Sequence, residues 1–241
     1  MTEHNKQVNN WELFWKKNPI GFNAVMFQST LFFSQQFEKK FPIKSTDNLL
    51  DIGCGPGFFI DYVKTKFGNI HGTDISENYI DLCKNNFKDF KSLKFSVSKP
   101  YDYKAYHQQI TENKINKVLI LSVLQYYNSL VDVKNLIVEL KKTASQQKFT
   151  CLLADISPQN HSAVSDVLDL VKHSFKKGYL YKFAEFIFYV LFSDYSKTKK
   201  IGILEIDSSF FDDLAQELDL DIKIIKNLTV HTTRYSVLIT F

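Results

Sequence analysis

Arginine is nearly missing from this chain of 241 residues: Arg234 is the only one, and lysine supplies the remaining positive charge. A net charge of +4 and a pI near 8.7 would ordinarily raise nucleic acid or an anionic membrane as a partner. Without guanidinium forks, bidentate reading of guanine edges or phosphates has almost no donor to use. The lysines are moreover interleaved with acids, as in ENYIDLCKNNFKDFK and DLAQELDLDIK, so no nucleic-acid partner is expected. Cysteine is scarce too. Cys54, Cys83 and Cys151 form no CxxC pair, which excludes a disulfide framework and points to a reducing, cytoplasmic location. No apolar run reaches the ~18 residues of a membrane span. The nearest, YLYKFAEFIFYVLF at 179–192, is short and carries Lys182 and Glu185, which suits a buried helix or one covering a pocket. The N-terminal stretch MTEHNKQVNNWELFWKKN has charges and asparagines where a secretory signal needs an apolar core.

What is present is enough for one large domain: 44% hydrophobic residues, 15% aromatic and 23% charged. Short apolar runs alternate with helical patterns, the rhythm of a parallel sheet with crossover helices. Strands are expected at 48–52, 70–74, 93–97, 117–121 and 148–156. Helices are expected at 58–67, stopping at Gly68, from an N-cap at Ser76 to about 90, and at 131–143. After Ile156 an aromatic-rich helical insertion runs from about 158 to 206. A helix at 207–220, capped by Asp207 or Ser208, precedes two β-rich runs at 221–228 and 234–241 that suit adjacent antiparallel strands. The expected fold is α/β and doubly wound, with a mostly parallel seven-stranded sheet and an antiparallel last strand. A helical segment at 1–47 and the insertion after the fifth strand would cover a domain spanning 48–241.

The informative segment is LLDIGCGPGFFIDYV, from Leu49 to Val63. A strand ends in Asp51, glycines follow at 53, 55 and 57, and a helix begins at once. Glycine lets the backbone turn sharply and approach a ligand where a Cβ would clash, while the helix start offers free N–H groups. Position 58 is Phe58, so the spacing is GxGxG and departs from the dinucleotide fingerprint; the Lys-Ser/Thr ending of a phosphate loop is also missing. Asp74, about twenty residues on in NIHGTDIS, closes the second strand where a carboxylate can accept hydrogen bonds from both hydroxyls of a ribose.

With the DxGxGxG turn, the acid after the second strand, a fourth strand ending in LSVLQYY and two terminal strands, the chain resembles the class I S-adenosylmethionine-dependent methyltransferases from Asn48 to Phe241. The resemblance implies S-adenosylmethionine as cofactor. It assigns its methionine part to Asp51, Gly53, Cys54, Gly55 and Gly57, its ribose to Asp74, and its adenine to Ile75. Where the family often has an acid for the adenine amine, this chain reads FSVSKPY, so Ser98 or a backbone group takes that place. Leu121 and Ser122 match the strand end beside the cofactor. Cys54 is read as a small residue tolerated for size.

In such a family the transfer is an in-line displacement at a sulfonium methyl, to which the protein adds alignment and, in some members, a base. No Asn/Asp-Pro-Pro-aromatic run, Pro-Cys pair or acid at 121–123 is present, so base methylation and a catechol-type metal site are not expected, and no metal is assigned. A small-molecule acceptor is expected, methylated on oxygen and apolar or aromatic in character. The alternatives are a protein or RNA methyltransferase and a non-catalytic S-adenosylmethionine-binding protein. His161, just past the fifth strand, is the first choice as general base, ahead of His173, His231 and Asp155. Aromatic residues of the two covering segments, Trp15, Phe22, Phe27 and Tyr181, together with Tyr126, are expected to hold the acceptor.

Overall fold

The computed structural model describes residues 23–160, 162–181, 183–185, 187 and 202–241. Helix α1 (Asn23–Lys40) precedes the alternation β1 (Asn48–Ile52), α2 (Phe58–Val63), β2 (Asn69–Asp74), α3 (Glu77–Asn86), β3 (Leu93–Val97), α4 (Tyr103–Glu112), β4 (Lys117–Leu121), α5 (Leu130–Thr143) and β5 (Thr150–Ile156). The chain continues through α6 (Ala163–Lys177) and α7 (Ser209–Glu217) to β6 (Asp221–Lys226) and β7 (Tyr235–Thr240). The seven strands lie in the order β3-β2-β1-β4-β5-β7-β6. β1 to β5 pair in parallel, and β7 runs antiparallel between β5 and β6. The mostly parallel seven-stranded sheet with its antiparallel last strand is therefore the architecture observed.

The central strands are apolar at consecutive positions because both of their faces are covered. In β4, Val118 and Ile120 join a cluster with Leu136, Ile137 and Val237, while Leu119 between them joins the opposite cluster with Phe59, Ile60 and Ile70. β5 alternates likewise, Cys151 and Leu153 on one face and Leu152 and Ala154 on the other. On the second face α1 packs onto α2, with the Phe33 and Phe37 rings 5.6 and 5.2 Å from Phe59.

Four helices differ from the sequence-based expectation, α7 being shorter at Ser209–Glu217 than the 207–220 expected. α2 ends at Val63, because the chain tightens into a turn in which Lys66 N–H donates to the Val63 carbonyl. Gly68 follows in close packing, since a Cβ there would sit 2.7 Å from the Ser45 carbonyl oxygen. α3 stops at Asn86, where Phe87 leaves helical geometry at φ −113°. α4, capped by Asp102 through the Ala105 amide, has only Tyr106 and Ile110 fully buried, a pattern too sparse to mark it. The expected caps agree: Ser76 caps α3 by accepting from Tyr79 N–H, and Asp207 accepts from Ser209 N–H just before α7.

Chain order reverses between β1 and β4, so their carboxyl ends open a crevice, the position at which α/β sheets bind ligands.

Candidate functional site

That crevice is a cavity of about 630 Å³, walled by the strand ends, by Met26, Ser29 and Thr30 of α1 and by Val167 and Leu170 of α6. α1 and α6 meet above it, Val25 packing in one cluster with Leu170, Tyr179 and Val230.

The floor on the β1 side is the glycine turn. Gly53, Gly55 and Gly57 have φ of +80°, +53° and +83°, a region that costs any other residue strain. The Gly53 and Cys54 amides both donate to the Thr73 carbonyl, at 2.7 and 2.9 Å, which fastens the turn to β2. A Cβ at Gly53 would lie 2.3 Å from Val123 Cγ2, and one at Gly57 would lie 2.9 Å from Cys83 Sγ and from the Phe87 ring. A Cβ at Gly55 would instead project into open space, with Met26 Cε nearest at 3.9 Å. Two of the glycines thus serve the protein's own packing, and Gly55 keeps the cavity floor bare. The Cys54 thiol shares the Gly55 carbonyl with Cys83; its hydrogen bond to Cys83 and its burial push its pKa well above the ordinary thiol value, so it is no nucleophile.

Two carboxylates stand beside this turn. Asp74 accepts the Gly55 N–H through Oδ2 and the Ser76 N–H through Oδ1, both at 2.9 Å. Burial raises its pKa and these amides pull it back. Each oxygen keeps accepting capacity for a further donor. Asp51 is fully enclosed, and burial followed by the Asp74 charge pushes it up to about 8. A buried pair of this kind favours a cationic or hydroxyl-bearing ligand, which would restore the charge that burial disfavours. Beyond Ile75, Ser98 is buried at the cavity wall, its amide donating to the Asp74 carbonyl. Tyr101, stacked at 4.9 Å on Tyr127, continues the wall. These residues fit an adenosyl group: an acid for the ribose, a flat aromatic slot for the base, and an acid and a bare floor for the charged amino-acid end.

The β4–β5 side is built from side chains. Ser122 and Asp155, at the ends of these strands, hold φ of +57° and +67°, and β5 changes register against β7 between Leu153 and Ile156. The bulge re-aims Asp155 into the cavity wall. Asp155 Oδ2 accepts from Ser122 Oγ at 2.7 Å and from Arg234 Nη1 at 2.9 Å; Arg234 also binds Gln125 Oε1 at 2.9 Å and Asp166 Oδ2 at 2.5 Å. His231 Nδ1 lies 3.0 Å from Asp166 Oδ1. One turn further along α6, Asp169 accepts from both the amide and the hydroxyl of Thr232, which fixes the loop that carries His231. Burial alone would raise Asp155 and Asp166, but Arg234 and His231 lower Asp155 and hold Asp166 well below the usual carboxylate range.

Of the residues singled out in the sequence, Asp51, Gly53, Cys54, Gly55, Asp74, Ile75, Ser98, Leu121, Ser122 and Tyr126 all line this one cavity. Gly57 stands behind it as the N-cap of α2. Phe27 does not line it but packs edge-on against Phe58, which does, at 5.4 Å. Tyr181 is 77% exposed and points away. His173 is wedged between Phe32 and Tyr179, a packing position. Trp15, Phe22 and His161 lie outside the described residues. Among the described residues no group of acids, histidines and cysteines has the arrangement of a metal site. Arg234, Asp166, Gln125 and Glu205 were not expected at the site; the one signal available was that Arg234 is the only arginine in the chain.

A family model described as a methyltransferase domain matches residues 43–187, more than half of the chain. The chain belongs to the class I S-adenosylmethionine-dependent methyltransferases. Its fold is shared by a S-adenosylmethionine-dependent methyltransferase from Aquifex aeolicus, with 10% identity, a TM-score of 0.51 and coverage of 86% of this chain and 88% of that one. The phosphoethanolamine N-methyltransferase 1 of Haemonchus contortus, solved with phosphoethanolamine and S-adenosylhomocysteine, superposes on 100% of this chain over 50% of its own, at 13% identity and a TM-score of 0.62. The magnesium protoporphyrin IX methyltransferase of Synechocystis PCC 6803, solved with bound S-adenosylmethionine, gives 11% identity and a TM-score of 0.54 over 91% of this chain and 81% of that one. No curated protein matches the sequence. In this methyltransferase the glycine turn and the Asp51–Asp74 pair line one side of the cavity, and the Arg234 cluster lines the other.

Proposed function

We propose that this enzyme methylates a small molecule, at a hydroxyl on an apolar or aromatic skeleton. The observation that carries the reading is the roof: among the described residues α1 and α6 meet over the strand ends, leaving a cavity of about 630 Å³, a size that suits a cofactor with a compact acceptor. Val167, Leu170, Tyr126 and Ile187 give the acceptor side apolar and aromatic walls.

Bound S-adenosylmethionine supplies a methyl group already activated by its sulfonium. The chain's own residues then have three tasks. Asp51, Asp74 and the backbone around Gly55 hold the cofactor in one orientation, Ser98 and Tyr101 border its base, and the roof excludes water. Proton removal from the acceptor falls to a histidine. His161 is the choice by sequence position, and His231 is the described histidine on the cavity wall; with Nδ1 turned to Asp166, its Nε2 is the nitrogen left for a hydroxyl.

The test is a screen with S-adenosylmethionine labelled in its methyl group against small phenols and alcohols, bulk tRNA and denatured protein. Label should enter the small hydroxyl compounds alone. Transfer to tRNA or protein and not to any small molecule would overturn the reading.

A further inference from the structure

The chain is basic as a whole, and its cavity is the reverse. Five carboxylates line it, those of Asp51, Asp74, Asp155, Asp166 and Glu205. Of the chain's 30 lysines and arginines, Arg234 alone among the described residues reaches the cavity wall. Asp51 and Asp74 belong to the cofactor half, so the acceptor half holds Asp155, Asp166 and Glu205 against one guanidinium. That guanidinium is largely engaged: Arg234 is buried, both terminal nitrogens are joined to the aspartates, and only its enclosed Nε is without a partner. Among the described residues the acceptor half therefore has two negative charges in excess with His231 neutral and one with His231 protonated. Either way the potential is negative, and the low-dielectric walls of Tyr126, Val167 and Leu170 concentrate it.

We infer that the acceptor half selects by charge: it admits neutral hydroxyl compounds, favours those carrying a protonated amine, and rejects carboxylates and phosphates. An anion would need a free guanidinium or ammonium to replace its water, and among the described residues neither is on offer without breaking the Arg234 pairs. An ammonium needs only a carboxylate, and Glu205, half-buried on the wall, has no ion pair among the described residues. The inference rests on the cavity being the acceptor site of a small-molecule methyltransferase and specifies what that site takes.

Three phenols of the same shape test it: tyramine, a cation; 4-ethylphenol, which is neutral; and 4-hydroxyphenylacetate, an anion. Each is titrated by calorimetry at neutral pH into full-length protein saturated with S-adenosylhomocysteine. Tyramine should bind at least tenfold more tightly than 4-hydroxyphenylacetate, with 4-ethylphenol between them, and the gap should shrink as salt rises from 50 to 500 mM. Glu205→Gln should narrow the gap while leaving S-adenosylhomocysteine affinity as it was, Glu205→Asp, which keeps the charge, should preserve the gap, and the salt dependence is read on the wild type without any variant. Equal or tighter binding of the anion, or no binding of any of the three by protein that does bind S-adenosylhomocysteine, overturns the inference. Failure to bind S-adenosylhomocysteine at all would instead strike the cofactor assignment beneath it.

Discussion

On the β1–β2 side of the cavity the glycine turn and two carboxylates come from one stretch of chain, between Asp51 and Asp74, with Ser98 and Tyr101 continuing the wall. On the β5–β7 side they are side chains gathered from afar, Ser122, Gln125, Asp155, Asp166, His231 and Arg234, with Gln125 and Arg234 separated by 109 positions. The first half is held by backbone amides whose positions follow from local conformation, so its shape survives changes of side chain that respect φ. The second half is held by charge balance, and removing one member leaves the others buried and uncompensated. The two halves should therefore fail in different ways when perturbed.

The largest effect is expected from Arg234→Met, which keeps apolar bulk and removes the cation between Asp155 and Asp166. Urea unfolding should show a loss of about 3–5 kcal/mol, the usual cost of breaking a buried ion pair from one side. A loss below about 1 kcal/mol would mean that the cluster is not the buried network described.

Proton linkage separates the halves next. Asp51 has a folded pKa raised to about 8, so the empty protein is most stable below pH 4 as far as this group is concerned. That contribution is lost as pH climbs toward 8, by up to about 1.4 kcal/mol per unit. Asp155 and Asp166 have lowered values and act with the opposite sign: their contribution is present above pH 4 and is lost as pH falls through their folded values. Asp51→Asn should thus flatten the decline in stability between pH 5 and 8, read as melting temperature against pH. An undiminished decline in the variant would place its source elsewhere.

A smaller effect distinguishes two glycines of one turn. Gly53→Ala must displace Val123 and should destabilise the empty protein by about 1–3 kcal/mol, with backbone strain besides. Gly55→Ala meets no protein atom closer than 3.9 Å and should cost only the strain of its φ, about 1–2 kcal/mol, yet weaken cofactor binding more than ordinary surface changes do. Equal stability losses together with unimpaired binding in the Gly55 variant would remove the distinction. The mildest change is Tyr101→Phe, which deletes an acceptor for the Asn128 amide and side chain and should cost about 1 kcal/mol in chemical denaturation. A loss above 3 kcal/mol would mean that this wall bears more of the fold than described.

The same contrast explains what could be read without a structure. Gly53, Gly55 and Asp74 were legible because a sharp turn and a strand-end acid leave their marks at fixed short spacings. β1 and β4 were legible to the residue because a strand covered on both faces is rich in consecutive apolar side chains, and β3, at the sheet edge, because Leu93, Phe95 and Val97 alternate with Lys94 and Ser96. The Arg234 cluster left no such mark. A bulge at Asp155, a helix face at Asp166 and a loop anchored by Asp169 must all form before these charges meet, and no spacing in the chain encodes that meeting. α4 escaped for a different reason: Tyr103, Tyr106 and Ile110 do stand at helical spacing, but most of the other positions in its ten residues are polar. Tyr181 failed as a pocket residue because aromaticity marks burial only on average, and its side chain lies in solvent.

The most direct measurement is calorimetric binding of S-adenosylhomocysteine, with NADH as competitor, to the wild type and Asp74→Ala. The wild type should bind S-adenosylhomocysteine and discriminate strongly against NADH, and the variant should lose about 1.5–3 kcal/mol of affinity, the worth of hydrogen bonds to a charged group. NADH binding as tightly, or an Asp74→Ala affinity equal to that of the wild type, would contradict the assignment of this cavity half to the adenosyl cofactor.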